Sequence, residues 1–398
     1  MSIEKYRTAI IACGKIGRVH ARGWLGVAGQ PTEIGSIADT NAEALNEFGQ
    51  FFGVSGDHRY ADYREMLDKE RPDFVDVCSW HRQHAEMVVA AAASQPRAIL
   101  CQKPMAVDLS QAEQMLLACK RNAVKLLISY QRPHHAVWLK ARDLIREGVI
   151  GQVRRIELEC GGNMLNTNSH NIRLGLFLMD DPQVTWVIGT TERTADTYER
   201  GLPSEDSTLG IAGCSNGATL LIQGGSIVTD GLGQGCRVLG SEGIMELSTD
   251  YKPENEIPND GIMYSPEGPS ARYNSEFGIG RYLNESTKGW QEIEAPFHAA
   301  WSHQCQEAID WVEGRVDNPI SSGEHGRVVQ EVMMVDGMMM VVGKMNVLIL
   351  VKKIVNGLIF VNGLSGISFG NPVPRGSDYI LSCIEAFRVV KTGPIAVE

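Results

Sequence analysis

The stretch Thr8 to His20, TAIIACGKIGRVH, leaves the chain around it few options. Ile10 and Ile11 close an apolar run suited to a buried strand, glycines follow at once, and from Arg18 onward the residues suit a helix. Ala12, Gly14 and Gly17 fall at the three spacings of a dinucleotide-binding fingerprint, with alanine in place of the first glycine. That first position needs a tight turn, which alanine can serve. The second must let the backbone approach a diphosphate and the third must let the helix pack on its strand, and both of these remain glycine. Gly14, Lys15, Ile16 and Gly17 are therefore the expected phosphate cradle at a helix N-terminus. Glycines at this spacing also occur in ordinary strand-to-helix turns, so a second feature has to agree.

The next apolar run, Glu33 to Ala38, ends in Asp39, at the ~20-residue distance where a carboxylate hydrogen-bonds an adenosine ribose diol. A carboxylate there repels the extra phosphate of NADP, and Thr40, Asn41 and Ala42 supply no arginine to bind it, so NAD is the expected cofactor and NADP the lesser candidate. The plain alternative is that Asp39 caps the helix expected from Ala42 to Phe52.

At 398 residues with 43% hydrophobic content, the chain is long enough for two domains with real cores. A net charge of −11 argues against nucleic acid or an anionic membrane as partner and points to a small, neutral substrate. Nine cysteines stand singly, which suggests neither a zinc site nor a disulfide framework and fits a reducing cytoplasm. The N-terminus has no basic segment followed by an apolar one, so no signal peptide is expected. No pair of histidines has a convincing metal spacing, and no metal is expected.

From Asp39 to Pro104 helix and strand alternate, the rhythm of a doubly wound parallel sheet. Helices are expected at Tyr63 to Lys69 and His84 to Ala93, and strands at Phe74 to Cys78, Ala98 to Cys101 and Val124 to Ser129. Ligands of such sheets sit beyond the carboxyl ends of the strands, so Ser79, Trp80, His81, Gln102, Lys103 and Pro104 should rim one crevice with Gly14. Pro104 restricts Lys103 to extended backbone and aims its side chain, and a lysine in such a crevice can act in proton transfer. Beyond Pro133 the texture changes. A helix at Ala136 to Glu147 leads into strands at Val153 to Cys160, Ala218 to Gln223, Ser226 to Thr229, Cys236 to Leu239 and Ile244 to Leu247, short and glycine-bounded, as in an open antiparallel sheet. Helices are expected at Asn163 to Leu178, Trp301 to Glu313 and Glu324 to Met340, and a long loop at Lys252 to Trp290. The fold class is α/β followed by α+β, divided as residues 1–130, 131–345 and an atypical tail, 346–398.

With these pieces in order the chain resembles the glucose-fructose oxidoreductase and myo-inositol dehydrogenase family, Gfo/Idh/MocA. The fingerprint with His20 and then Asp39 match its opening, Gln102-Lys103-Pro104 its Glu-Lys-Pro signature, and Ser79, His84 and Tyr130-Gln131-Arg132 its flanking residues. Asn166-Thr167-Asn168-Ser169-His170 matches an Asp-x-x-x-His motif. The resemblance implies a Rossmann domain binding NAD through Ala12, Gly14, Lys15, Ile16, Gly17, Asp39, Ser79, Trp80, His84, Gln102 and Lys103, and an oxidoreductase acting on a sugar, polyol or related ring alcohol. Lys103 and His170 would be its catalytic residues, with Asn166 where the family has a carboxylate. His170 would accept the hydroxyl proton and Lys103 would stabilise the developing alkoxide. An amide at 166 cannot take a proton, so the departures at 166 and 102 also allow a silent NAD- and sugar-binding regulator, and the resemblance to some relatives allows a third reading, an NAD-assisted glycosidase. His134, His135, His298, His303 and His325 have no such support and are expected on the surface or in loops. An uncovered apolar face of the second sheet would hold a homodimer or homotetramer together. The apolar but interrupted segment Val347 to Phe360 reads as one or two strands that extend that sheet or build a subunit contact, after a strand at Lys344 to Leu350.

Overall fold

The computed structural model describes residues 5–28, 32–228, 234–251, 276–287, 289–295, 300–337, 350–355 and 358–363. The strands β1 (Tyr6–Ile11), β2 (Thr32–Ala38), β3 (Arg59–Tyr60), β4 (Phe74–Val77), β5 (Ala98–Gln102) and β6 (Lys125–Ser129) form a parallel sheet in the order β3-β2-β1-β4-β5-β6. Every residue of β4 and β5 is buried, because helices cover both faces of the sheet, and this is why both strands read as apolar runs and not as alternations. The chain winds one way from β1 through β2 and β3 and the other way from β4 onward. That reversal opens a crevice at the carboxyl ends of β1 and β4, where Cys78 N–H reaches Ile11 O at 2.9 Å.

The second sheet has ten strands among the described residues. Seven of them form its body: β7 (Val153–Cys160), β8 (Val184–Glu192), β9 (Ser207–Cys214), β10 (Thr219–Gly225), β11 (Gln234–Gly240), β12 (Gly243–Tyr251) and β13 (Glu276–Asn284). The centre is β7, between β10 and β11; β9 and then β8 lie beyond β10, and β12 and then β13 beyond β11. Neighbours pair antiparallel except β7 with β10, which run parallel. Ile156, Leu158, Leu220, Ile222, Val238, Met245 and Leu247 point to one face and are buried there. On that face lies a helix, Ser169–Leu178, whose ten residues are all buried; a Cβ on its Gly175 would come 2.9 Å from a Leu220 methyl, so a larger residue there would make that side chain shift.

Four expectations change. Ser226 to Val228 form a turn closed by Val228 N–H on Gly225 O, not a strand, because Gly225 has φ 69° and breaks the extended run. The glycine- and proline-rich segment is not all loop: Glu276–Asn284 is a strand paired along its whole length with β12. His134 and His135 are buried, 3% and 4% exposed, because the turn that carries them is covered by the helix Ala300–Val312, and His134 Nε2 lies 3.6 Å from Glu307; His325 too is not a loop residue but stands half-buried in the helix Gly323–Gly337. The face of the second sheet opposite that helix is not apolar throughout: it carries Trp186, Ile188, Leu209, Ile211 and Leu221 on one side and Leu239, Ile244 and Leu283 at one end. Between these, across β7, β11, β12 and β13, runs a ladder of ion pairs, Arg155 with Glu157, Arg237 with Glu157 and Glu246, and Arg281 with Glu246. In the tail, Leu350–Val355 and Leu358–Gly363 form a hairpin whose first strand pairs antiparallel with β8. The strand expected at Lys344 to Leu350 lies, except for Leu350, outside the described residues, as do Thr229, His298 and the segment 252–275.

Candidate active site

The cradle forms as its spacing requires. Ala12 stands in the left-handed region, φ 78°, and its N–H reaches Ala38 O at 2.8 Å. A Cβ on Gly17 would lie 2.2 Å from Ala12 O, inside contact distance, so this glycine is required by the fold itself. A Cβ on Gly14 would meet nothing within 4 Å, and the helix that begins there, Lys15–Leu25, has no side-chain cap on its first-turn amides. Uncapped donors at an open helix N-terminus fit a diphosphate. Asp39 is not the helix cap: Asn41 caps the helix Ala42–Phe52 by accepting from Ala44 N–H at 3.0 Å. Asp39 instead accepts from Cys13 N–H at 2.7 Å and from Asn41 N–H at 2.8 Å, which ties the end of β2 to the cradle turn and holds the carboxylate beside it.

The wall of the crevice is a buried polar network. Gln102 Oε1 accepts from Lys103 N–H at 2.7 Å, so the Gln102 amide nitrogen faces His20 Nε2, 3.0 Å away. His20 Nε2 must then be the acceptor, and the ring proton sits on Nδ1, facing both oxygens of Asp76 at 2.8 Å. Asp76 also accepts from Trp24 Nε1 at 2.8 Å and from Cys78 Sγ at 3.3 Å. His20, Asp76 and Cys78 are the group among the described residues that comes within ligating distance of a shared metal, but their ligand atoms are bonded to one another. His84 is likewise committed: buried, with Nδ1 2.9 Å from Pro104 O and Nε2 3.0 Å from Ser79 O, it holds the Lys103–Pro104 turn against the end of β4 and does not face the crevice. Lys15 is exposed, Ile16 half-buried, Ser79 buried with its hydroxyl unpartnered, and Trp80 is 60% exposed.

Opposite this wall stands the turn that precedes the buried helix. Met164–Asn168 is a π-helical turn, and Asn163 caps it by accepting from Asn166 N–H at 2.9 Å. A Cβ on Gly162 or Gly224 would strike Thr167 or Asn168 at 2.3 Å, so these two glycines give the turn its seat. It delivers Asn166 to Lys103: Lys103 Nζ donates to Asn166 O at 2.6 Å and to Asn166 Oδ1 at 2.7 Å. The other end of the Asn166 amide donates to Glu199 Oε1 at 2.6 Å. His170, one helical turn on, is 5% exposed, packs edge-on to Tyr130 at 6.0 Å, and has no partner at Nδ1. Burial, and then Lys103, Arg132 and His135 nearby, hold it well below the ordinary histidine range, so it is a neutral base. Lys103, at the carboxyl end of β5, thus bonds to Asn166 and lies close enough to His170 for its charge to act on that ring, with β4 standing between β5 and the β1 end that carries the cradle. The residues missed by sequence reading are Asp76 and Glu199. A lone carboxylate in the apolar strand FVDVC was a usable signal for the first; Glu199, in a polar stretch between strands, had none.

Residues 6–130 match the oxidoreductase family with the NAD-binding Rossmann fold, GFO_IDH_MocA. The chain is 28% identical over 272 residues to a D-apiose dehydrogenase of Paraburkholderia graminis, covering 64% of this chain and 70% of that protein. It is 23% identical over 251 residues to the myo-inositol 2-dehydrogenase of Thermotoga maritima, covering 60% and 73%. Among solved structures, an inositol dehydrogenase homolog from Azotobacter vinelandii, complexed with NADH and myo-inositol, superposes with a TM-score of 0.66 at 17% identity over 83% of this chain and 94% of that one.

Proposed function

The chain belongs to the Gfo/Idh/MocA family of oxidoreductases, and on that premise we propose that it transfers a hydride between NAD and a CH–OH group of a neutral sugar, polyol or related ring alcohol. The observation that carries this reading is a lysine at the carboxyl end of β5, bonded to Asn166 and acting by its charge on a neutral buried histidine, in the same sheet whose β1 runs into an uncapped helix N-terminus. The Gly14 to Gly17 backbone would hold the diphosphate, Asp39 the adenosine ribose, and Ser79, Trp80, Gln102 and Lys103 the rim near the reacting end. When bound, NAD supplies the hydride acceptor.

The proton is the business of the chain. In the oxidising direction, His170 takes it from the hydroxyl, since a base held neutral by burial and nearby cations is ready to accept at neutral pH. Lys103 offers a fixed positive charge to the oxygen as it becomes an alkoxide, and Asn166 fixes the direction of that charge through its two acceptor oxygens. The dehydrogenase relatives do not favour the regulator or the glycosidase reading. A homo-oligomer joined through the apolar quarter of the second sheet and a cytoplasmic site belong to this proposal; among the described residues no helix is long and apolar enough to cross a membrane.

NADH formation across aldoses, inositols and other polyols is the test, and NAD left unreduced by every one of them would sink the reading. The cofactor preference has its own check. Asp39→Ser should cut the ratio of NAD to NADP affinity by about tenfold or more, the equivalent of ~1.4 kcal/mol, and an unchanged ratio would leave Asp39 as a purely structural latch.

A further inference from the structure

Glu199 lies at the tip of a small hairpin, Tyr198–Glu199 paired with Leu202–Pro203, whose two turn residues, Arg200 and Gly201, both have positive φ, 50° and 76°. The hairpin is anchored at its base by Asp206, which accepts from Thr194 N–H at 2.6 Å and Ala195 N–H at 2.9 Å. So held, Glu199 takes one hydrogen bond from Asn166 Nδ2 through Oε1 and another from Asn163 Nδ2 through Oε2. Its charged neighbours are Arg200, 3.9 Å away, and Glu205, whose carboxyl is buried beneath Met164 N–H.

An asparagine amide can sit either way round. Reversed, Asn166 would point its NH2 at the Lys103 ammonium and its carbonyl at the Glu199 carboxylate, two repulsive contacts in place of two charge-assisted hydrogen bonds. We propose that Glu199 is a positioning residue: it fixes the Asn166 amide with its oxygen toward Lys103 and, through that amide, supplies the negative charge opposite Lys103 that a carboxylate at 166 would supply directly. The site retains one positive and one negative group, with a neutral amide between them. This inference rests on the reading of Lys103 as the group that acts on the substrate oxygen.

The arrangement predicts that the charge can be moved back. Glu199→Gln removes it, and Asn166→Asp sets two carboxylates in contact. Asn166→Asp combined with Glu199→Gln exchanges the two roles: the glutamine amide donates to the new carboxylate, and that carboxylate accepts from Lys103. Thermal unfolding without any substrate should show each single variant lowered by roughly 2–4 °C and the pair lowered by less than either, a non-additivity expected of groups in contact. A cycle of Glu199→Gln with Lys103→Met should also couple, because the Asn166 amide bonds to both side chains. Additive losses in either cycle would overturn the proposal. With myo-inositol as the probe substrate, Glu199→Gln should lower kcat about tenfold to a hundredfold with NAD affinity unchanged, as for a reacting group displaced by a fraction of its length. The exchanged pair should recover to within a fewfold of the parent, and failure to recover would reduce Glu199 to a structural role and overturn it as well. No turnover by the parent on any sugar would sink the functional reading alone, since the unfolding cycles decide the Glu199–Asn166–Lys103 linkage without it.

Discussion

Two buried histidines divide the site between them. His20, behind the crevice, is 0% exposed and has a partner at each nitrogen, Asp76 on one side and the Gln102 amide with the Ser129 hydroxyl on the other. His170, across the crevice, is 5% exposed, has no partner at Nδ1 and is surrounded by Lys103, Arg132 and His135. The same side chain at the same depth thus does two jobs. A network that engages both ring nitrogens holds one tautomer and one backbone geometry, which is what the Gln102–Lys103 junction needs. A buried base surrounded by cations stays unprotonated, which is what proton abstraction needs. The first region is built to hold still and the second to change charge, so perturbations should read out differently in each.

The largest effect should come from the second region. Lys103→Ala should lower kcat/KM by about 10²- to 10⁴-fold, the range for losing a group that acts on charge developing in the transition state. NAD affinity should stay within a fewfold, because the cradle and Asp39 lie at the ends of β1 and β2, away from Nζ. Steady-state kinetics paired with a cofactor titration checks both, and an unchanged kcat would put the reacting site somewhere other than this crevice.

Acid should expose the same contrast through stability. Burial, with nearby cations, pushes His81 and His325 down to about 4, and His170 lies well below its ordinary value. The unfolded chain binds protons at these positions from about pH 6.5 downward, whereas the folded chain does not until the depressed values are reached. The unfolded state therefore holds more protons in that window, and stability falls as pH falls from about 6.5 toward 4. The stability these groups lend is complete above that window and lost below it. Denaturant titrations at a series of pH values would show the decline, and His81→Gln should flatten part of it. A stability flat from neutral pH to about 4 would mean that these rings are hydrated in solution.

The matched region was more legible in the sequence than the unmatched one. Ile10, Ile11, Gly14, Gly17 and Asp39 follow one another within a single strand-turn-helix-strand unit, so their spacing alone predicts the cradle, and the structure adds only that Asn41, not Asp39, caps the next helix. Lys103 could be placed because Pro104 follows a buried strand. The second sheet was harder because its pairing is non-local: the strand Glu276–Asn284 is disguised by a glycine-rich neighbourhood, and only its partner β12 reveals it. Glu199 was out of reach for the same reason, since it is brought to Asn166 by a hairpin 33 positions away whose own sequence, Tyr-Glu-Arg-Gly, signals a turn and nothing more. The burial of His134 and His135 also depends on a distant helix, Ala300–Val312, that no local pattern ties to them.

The smallest effect, and the one that tests the matched region, is Gln102→Glu. The change keeps the acceptor for Lys103 N–H but removes the donor to His20 Nε2, which would then face a carboxylate oxygen with its other nitrogen already directed at Asp76. A proton is needed to fill that gap, whether on the ring or on the new carboxyl, so the variant folds with one more bound proton than the parent. Its stability relative to the parent must then fall as pH rises, by up to ~1.4 kcal/mol per pH unit for one proton. Near pH 6 the difference should be slight, because a glutamate accepting from a protonated ring is a strong pairing. By about pH 9 it should be plain in thermal unfolding. The Ser129 hydroxyl, 3.3 Å from His20 Nε2 and itself accepting from Gln304 at 3.0 Å, can share the load but cannot supply a second proton. Parallel Tm profiles for parent and variant across this range would mean that His20 holds a different tautomer from the one the Lys103 amide dictates.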